Sequence, residues 1–122
     1  MSKHDPRVTL AQIREAARRA QALCKGITLD ELKQDWVKVM AFERAFEVLG
    51  EGIKRLPSDL REKYPGHDWR GAAGLRDIVA HGYDWIEYEV LWDAARDDFP
   101  SPFKTVEQML TDLGGEPPDE EG

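Results

Sequence analysis

The chain has 122 residues, of which 34% are charged, with a formal net charge of −7 and a single cysteine. This length supports one domain whose core needs neither metal nor disulfide, and the lone Cys24 excludes an internal disulfide and fits a reducing compartment. The acidic balance excludes a broadly basic nucleic-acid-binding surface, and no stretch reads as a signal peptide or a bilayer-spanning run, so a soluble, cytoplasmic protein without membrane association is expected.

Gly and Pro fall between periodic segments and no alternating run suggests a strand, which predicts an all-α chain. Asp5 caps helix one, with Pro6 at its first position. Val8, Ala11, Ile13, Ala16, Ala17, Ala20 and Leu23 form its apolar side, with Cys24 as a small apolar neighbour, and Gly26 ends it. Thr28 to Glu31 has the pattern of a capping box and opens a short helix. A long helix follows from about Asp35 to Arg55. Its Phe42, Phe46, Leu49, Ile53 and Leu56 repeat at alternating steps of four and three, the seam of a helix packed on another helix. Ser58 caps a segment to Lys63, Pro65-Gly66 is a loop, and Asp68 to Gly74 is a turn or short helix. A helix covers about Leu75 to His81, and Asp84 starts another that runs through Arg96. Pro100-Ser101-Pro102 breaks the chain, and the last helix runs from there to about Leu113. The fold expected is one up-and-down helical bundle over residues 1–113, followed by a disordered acidic tail over 114–122. The tail's Glu116, Asp119, Glu120 and Glu121 leave residues 1–115 with a charge of −3. Any contact with a polyanion must therefore come from a small local group of arginines. The four Trp residues, 36, 69, 85 and 92, are many for so small a core and hint at an interface.

The densest chemistry lies in Arg76-Asp77-Ile78-Val79-Ala80-His81-Gly82-Tyr83. A His takes or gives a proton near neutral pH, and an Arg holds a phosphoryl group through paired donors. Asp77 and His81 are four apart and share a helical face, so Asp77 can accept from one ring nitrogen and fix the tautomer. The alternatives are a first-turn acid favoured by the helix dipole and a structural His near a helix end. Arg76 points roughly 140° away from His81 on an ideal helix, so the two converge only if the helix stops there, and Gly82 is suited to that stop. His4 and His67 have no partners at metal-ligand spacing, and neither metal nor cofactor is expected. Arg44, Glu47 and Glu51 read by themselves as an ion-pair ladder on the long helix. Trp69-Arg70 reads as a core Trp beside a surface Arg rather than as a base-stacking and phosphate-binding pair.

The stretch from Arg76 to Tyr83 resembles the RX4HXY signature of the HEPN superfamily, in its HepT branch. The resemblance extends through Asp5-Pro6-Arg7, Arg44 to Glu51, Tyr64-Pro65, Asp68 to Leu75, Trp85 to Trp92 and Val106 to Leu110, and so covers roughly residues 5–113. Two positions depart from the family pattern: Ala45 stands where Asn is usual after the helix-two Arg, and Asp77 where Asn is common after the signature Arg. The resemblance implies a HEPN-type bundle, a homodimer, and two Arg–His motifs facing one cleft at the dimer seam. The signature helix and aromatics such as Trp85 or Trp92 are expected at that seam. It further implies a metal-independent ribonuclease toxin of a type VII HEPN–MNT toxin–antitoxin system, with Arg76 and His81 catalytic and Asp77, Arg44 and Glu51 in support. The substrate is then RNA, such as tRNA or mRNA, whose 2′-hydroxyl attacks the adjacent phosphate. Tyr83 is the expected acceptor of AMP from a cognate MNT-type nucleotidyltransferase. The alternative is a non-catalytic dimeric module that docks a nucleotidyltransferase or holds a nucleotide.

Overall fold

Three polar caps, Asp5, Thr28 and Asp35, start the first three helices. A computed structural model describes residues 5–65, 69–81, 86–98 and 100–117, and every regular element among them is helical. In α1 (Pro6–Cys24) the Asp5 carboxylate accepts from the Arg7 N–H, and Pro6 sits where its missing N–H has no helical partner to lose. α2 (Leu29–Lys33) opens with the complete Thr28–Glu31 capping box. Asp35 accepts from the N–H groups of Val37 and Lys38 to start α3 (Trp36–Arg55).

α3 is the centre of the bundle and packs against α1 and α5. Its Phe42, Phe46, Leu49 and Ile53 are buried, with the two Phe rings edge to face at 5.0 Å, so the seam expected from the four-three spacing is the core. α1 contributes Leu10, Ile13, Ala16, Ala17, Ala20 and the buried Cys24, whose thiol burial pushes up to about 11. At Gly52 a Cβ would lie 2.7 Å from Ile13 Cγ1, so α1 packs closely on α3 there. α4 (Ser58–Glu62) is a single short helix anchored by the buried Leu60.

α5 (Trp69–His81) is one continuous helix rather than a turn followed by a helix. Gly71 and Gly74 suggest a break, yet the face around the buried Ala73 packs on α3, and tertiary contact outweighs the roughly 1 kcal/mol that each glycine costs a helix. α6 (Ile86–Asp93) passes into a π-helical segment, Ala94–Asp98, that buries Ala94 and Ala95. α7 (Pro100–Asp112) begins on Pro100 itself, since a proline is tolerated in a first turn, and packs on α1 with Val106, Met109 and Leu110 buried.

Trp92, one of the aromatics expected at a seam, is a core residue, 7% exposed. Trp85 lies outside the described residues. Residues 114–116, expected in the tail, make contacts with the bundle: the Gly115 N–H donates to the Leu110 carbonyl at 2.8 Å, and Arg14 grips the Glu116 carboxylate with two nitrogens at 2.6 and 2.8 Å. Residues 118–122 of that tail lie outside the described residues. Among the described residues no helix is long and apolar enough to cross a membrane.

Candidate active site

The site forms where α5 touches α3 with no side chain between them. A Cβ at Gly50 would stand 2.4 Å from Arg76 Cβ and 3.0 Å from the Ala73 carbonyl oxygen, so only glycine allows this approach. It carries the half-exposed Arg76 to the surface of α3 beside the next residue, Glu51. Arg76 Nε lies 2.9 Å from Glu51 Oε2. Arg76 Nη1 is 3.8 Å from Asp77 Oδ1, and Lys54 Nζ is 3.5 Å from that same oxygen. Glu51, Arg76, Asp77 and Lys54 thus form one row of alternating charge across the two helices.

These groups are partly solvated, so each pair adds only about 0–1 kcal/mol to stability. Their effect is geometric. Glu51 pairs with the Nε side of the guanidinium and Asp77 lies near Nη1, so the charge is held between carboxylates of two adjoining helices, and its fork of donors is of the kind that suits a phosphate. Asp77 meets Lys54 and Arg76. His81 closes α5 one turn beyond Asp77, and its side chain lies outside the described part, as do Gly82 and Tyr83.

Arg44 sits two turns before Glu51 on α3 and pairs with Glu47 at 3.3 Å, outside the Arg76 row. It also borders an open groove of about 630 Å³ between α1 and α3, lined by Ala16, Leu23, Ala41, Ala45 and Val48 among others. Trp69 donates from its indole N–H to the Tyr64 carbonyl at 3.0 Å and packs on the core, while Arg70 is exposed. Lys54 was not singled out from sequence: 23 residues separate it from Asp77, and no local spacing signals that contact. Gly50 did carry a signal, as a glycine kept inside a long helix. Among the described residues no group of three or more His, Cys, Asp or Glu side chains is placed to hold a metal ion.

An all-helical bundle that presents an arginine one helical turn and a residue ahead of a histidine has the architecture of the HEPN superfamily. The chain matches the family described as Ribonuclease HepT-like over residues 13–109, and it belongs to that HepT-like family. It is 37% identical over 116 residues to a Methanocaldococcus jannaschii protein named a "putative RNase", covering 95% of this chain and 96% of that one. It is 35% identical over 86 residues to a "putative RNase" of Caldanaerobacter subterraneus subsp. tengcongensis, covering 70% of this chain and 77% of that one. A Thermococcus cleftensis protein named "probable ribonuclease HepT" is 32% identical over 92 residues, covering 75% of this chain and 84% of that one. No solved structure matches the chain.

Proposed function

We propose that the protein is a metal-independent endoribonuclease, the toxin of a HEPN–MNT toxin–antitoxin pair, acting as a homodimer on RNA such as tRNA or mRNA. The observation that carries this reading is the ion pair of Glu51 with Arg76 Nε, which holds a partly exposed guanidinium on α5 five residues before His81. Arg76 holds the scissile phosphate and offsets the charge that builds on it. His81 takes the proton from the ribose 2′-hydroxyl or gives one to the leaving 5′-oxygen. The 2′-oxygen bonds to phosphorus, the bond from phosphorus to the 5′-oxygen breaks, and the products are a 2′,3′-cyclic phosphate and a 5′-hydroxyl. Asp77 orients His81 through their i, i+4 spacing, and Arg44 is an outlying support. A cognate nucleotidyltransferase transfers AMP to Tyr83, which adds negative charge and bulk beside the phosphate site and so silences it.

The relatives named as RNases favour the ribonuclease reading. The net charge of −7 favours the second, a dimeric module that docks a nucleotidyltransferase or holds a nucleotide without cleaving RNA. Expression of this chain alone separates the two. Growth arrest that is abolished by His81→Ala supports the toxin. Unimpaired growth at high expression supports the binding module.

A further inference from the structure

α1 is a cationic element in an acidic chain. Its 19 residues hold four arginines and one acid, Glu15. At about 100° per residue, Arg7, Arg14, Arg18 and the capping Lys25 fall within an arc of roughly 40°. At 1.5 Å per residue they form a stripe about 27 Å long. Asp5 holds Arg7, and Glu15 is shared between Arg18 and Arg19 at 3.1 and 3.3 Å. Arg14 is the most enclosed of the set. Its side chain is 15% exposed, its Nε is buried with no acceptor among the described residues, and Nη1 is 3.7 Å from Glu107.

The C-terminal segment is the complement of this stripe. From Glu116 onward it holds four acids and no base. Gly114 and Gly115, with φ of +107° and +98°, turn the chain back from α7 onto α1. A Cβ at Gly114 would lie 3.6 Å from Arg7 Nη1, and two residues later Glu116 meets both Nη groups of Arg14. The segment thus advances along α1 from Arg7 towards Arg18, and Arg14, with a smaller pull from Arg18, holds the Glu116 carboxyl below its usual range. Asp119, Glu120 and Glu121 follow Glu116 by three to five residues, about 10–17 Å of extended chain. Along the stripe, Arg18 is about 6 Å and Lys25 about 16 Å beyond Arg14.

A carboxylate gripped by both arms of a guanidinium occupies the place that a phosphate takes on the same fork. We infer that the stripe on α1 is a second site for the RNA backbone, and that the acidic segment from Glu116 competes with RNA for it, with Glu116 standing where a phosphate binds. This rests on the ribonuclease reading and adds the size of the substrate. Arg76 is on α5, and α3 packs between α5 and α1. An RNA of a few nucleotides at Arg76 therefore does not reach the stripe, whereas a folded RNA of tRNA size does, and it must displace the segment to bind there.

Neutralising the segment tests this in the full-length chain. Glu116→Gln, Asp119→Asn, Glu120→Gln and Glu121→Gln together keep its length and remove its charge. Binding of labelled tRNA is read by fluorescence anisotropy in a His81→Ala background, so that the RNA stays intact. The amide variant should bind about tenfold or more tightly than the parent. Its affinity should also fall more steeply with salt, by about 2–3 in the slope of log K against log salt, as three or four added phosphate contacts require. Adding Arg14→Gln and Arg18→Gln should remove most of the gain, and adding Lys33→Gln and Lys38→Gln, the same loss of charge elsewhere, should not. Should Arg14→Gln cost the chain its helical content, Arg18→Gln with Lys25→Gln makes the same comparison. An amide variant that binds tRNA no more tightly than the parent overturns the inference, as does a gain that both pairs of substitutions reduce equally. With His81 intact, a trinucleotide should be cleaved at the parental rate. A rise there as large as on tRNA puts the segment over the Arg76 site and overturns its place on α1. Tighter tRNA binding by a chain that cleaves no RNA overturns the ribonuclease reading and leaves the α1 site standing.

Discussion

Glu51 meets Arg76 at 2.9 Å across a helix contact that the glycine next to it, Gly50, makes possible. A methyl group at position 50 would collide with Arg76 Cβ and the Ala73 carbonyl, neither of which can swing aside. At Gly52 the obstacle is Ile13 Cγ1 at 2.7 Å, the inner carbon of a buried β-branched side chain that is stiff in a helix. Gly50→Ala should therefore lower the unfolding free energy by about 1–3 kcal/mol despite the better helix propensity of Ala. Gly52→Ala should also cost about 1–3 kcal/mol, since α1 must shift or Ile13 must leave its rotamer. Urea melts of both variants measure this, and a Gly50→Ala protein as stable as the parent contradicts the close approach.

Glu51→Gln separates orientation from stability. The pair is partly exposed, so the substitution should shift stability by no more than about 1 kcal/mol. Arg76 loses its anchor, and cleavage should fall by about 10–10²-fold, the scale of a small misplacement of a phosphate-holding group. Equal rates for parent and variant on the same RNA show that Glu51 does not position Arg76.

Two of the three tyrosines should ionise late. The hydrogen bond to Asp112 pushes the Tyr64 phenol up to about 12, and burial, with a hydrogen bond to Glu43, raises Tyr88 as well. A phenol whose pKa rises on folding gives stability that is complete below its unfolded value, about 10, and is lost as the pH climbs through the folded one. Tyrosinate absorbance should therefore lag in the folded protein between about pH 10 and 12 and catch up on unfolding. Tyr64→Phe should shrink that lag. The same bond lowers the Asp112 pKa, so its contribution is present at neutral pH and is lost as the pH falls through the acid range.

Control is tested at Tyr83. Co-expression with the cognate nucleotidyltransferase should add AMP to the chain, visible in intact-mass spectra and mapping to Tyr83. Tyr83→Phe should stay folded and toxic but escape neutralisation. Neutralisation of Tyr83→Phe as complete as that of the parent would place control in complex formation or at another acceptor.

Much of the scaffold could be read locally. Asp5 and Thr28 cap the helices they were expected to cap, whereas Ser58 lies inside α4 and makes no cap, and the four-three steps from Phe42 to Leu56 are the buried seam of α3. What failed depended on tertiary contact. Gly71 and Gly74 argue for a break, but packing on α3 carries α5 through both. Trp92 looks like surplus aromatic area until the bundle folds around it, whereas Trp36 stays in solvent, 72% exposed. The tail's composition hides the grip of Arg14 on Glu116, a contact across 102 residues. At the site, Arg76 and His81 came from one short segment. The Glu51 contact was implied only by family resemblance, and the Lys54–Asp77 contact by nothing in the local sequence.

The central claim is that Arg76 and His81 cleave RNA without a metal. Purified chain incubated with small RNAs in EDTA tests it most directly, with fragment ends identified. The parent should cut and leave 2′,3′-cyclic phosphate and 5′-hydroxyl termini. Arg76→Ala and His81→Ala should each cut about 10²–10⁴-fold more slowly while keeping parental helical content. Cleavage that stops in EDTA and returns only with a divalent ion, or a His81→Ala protein as fast as the parent, contradicts the account.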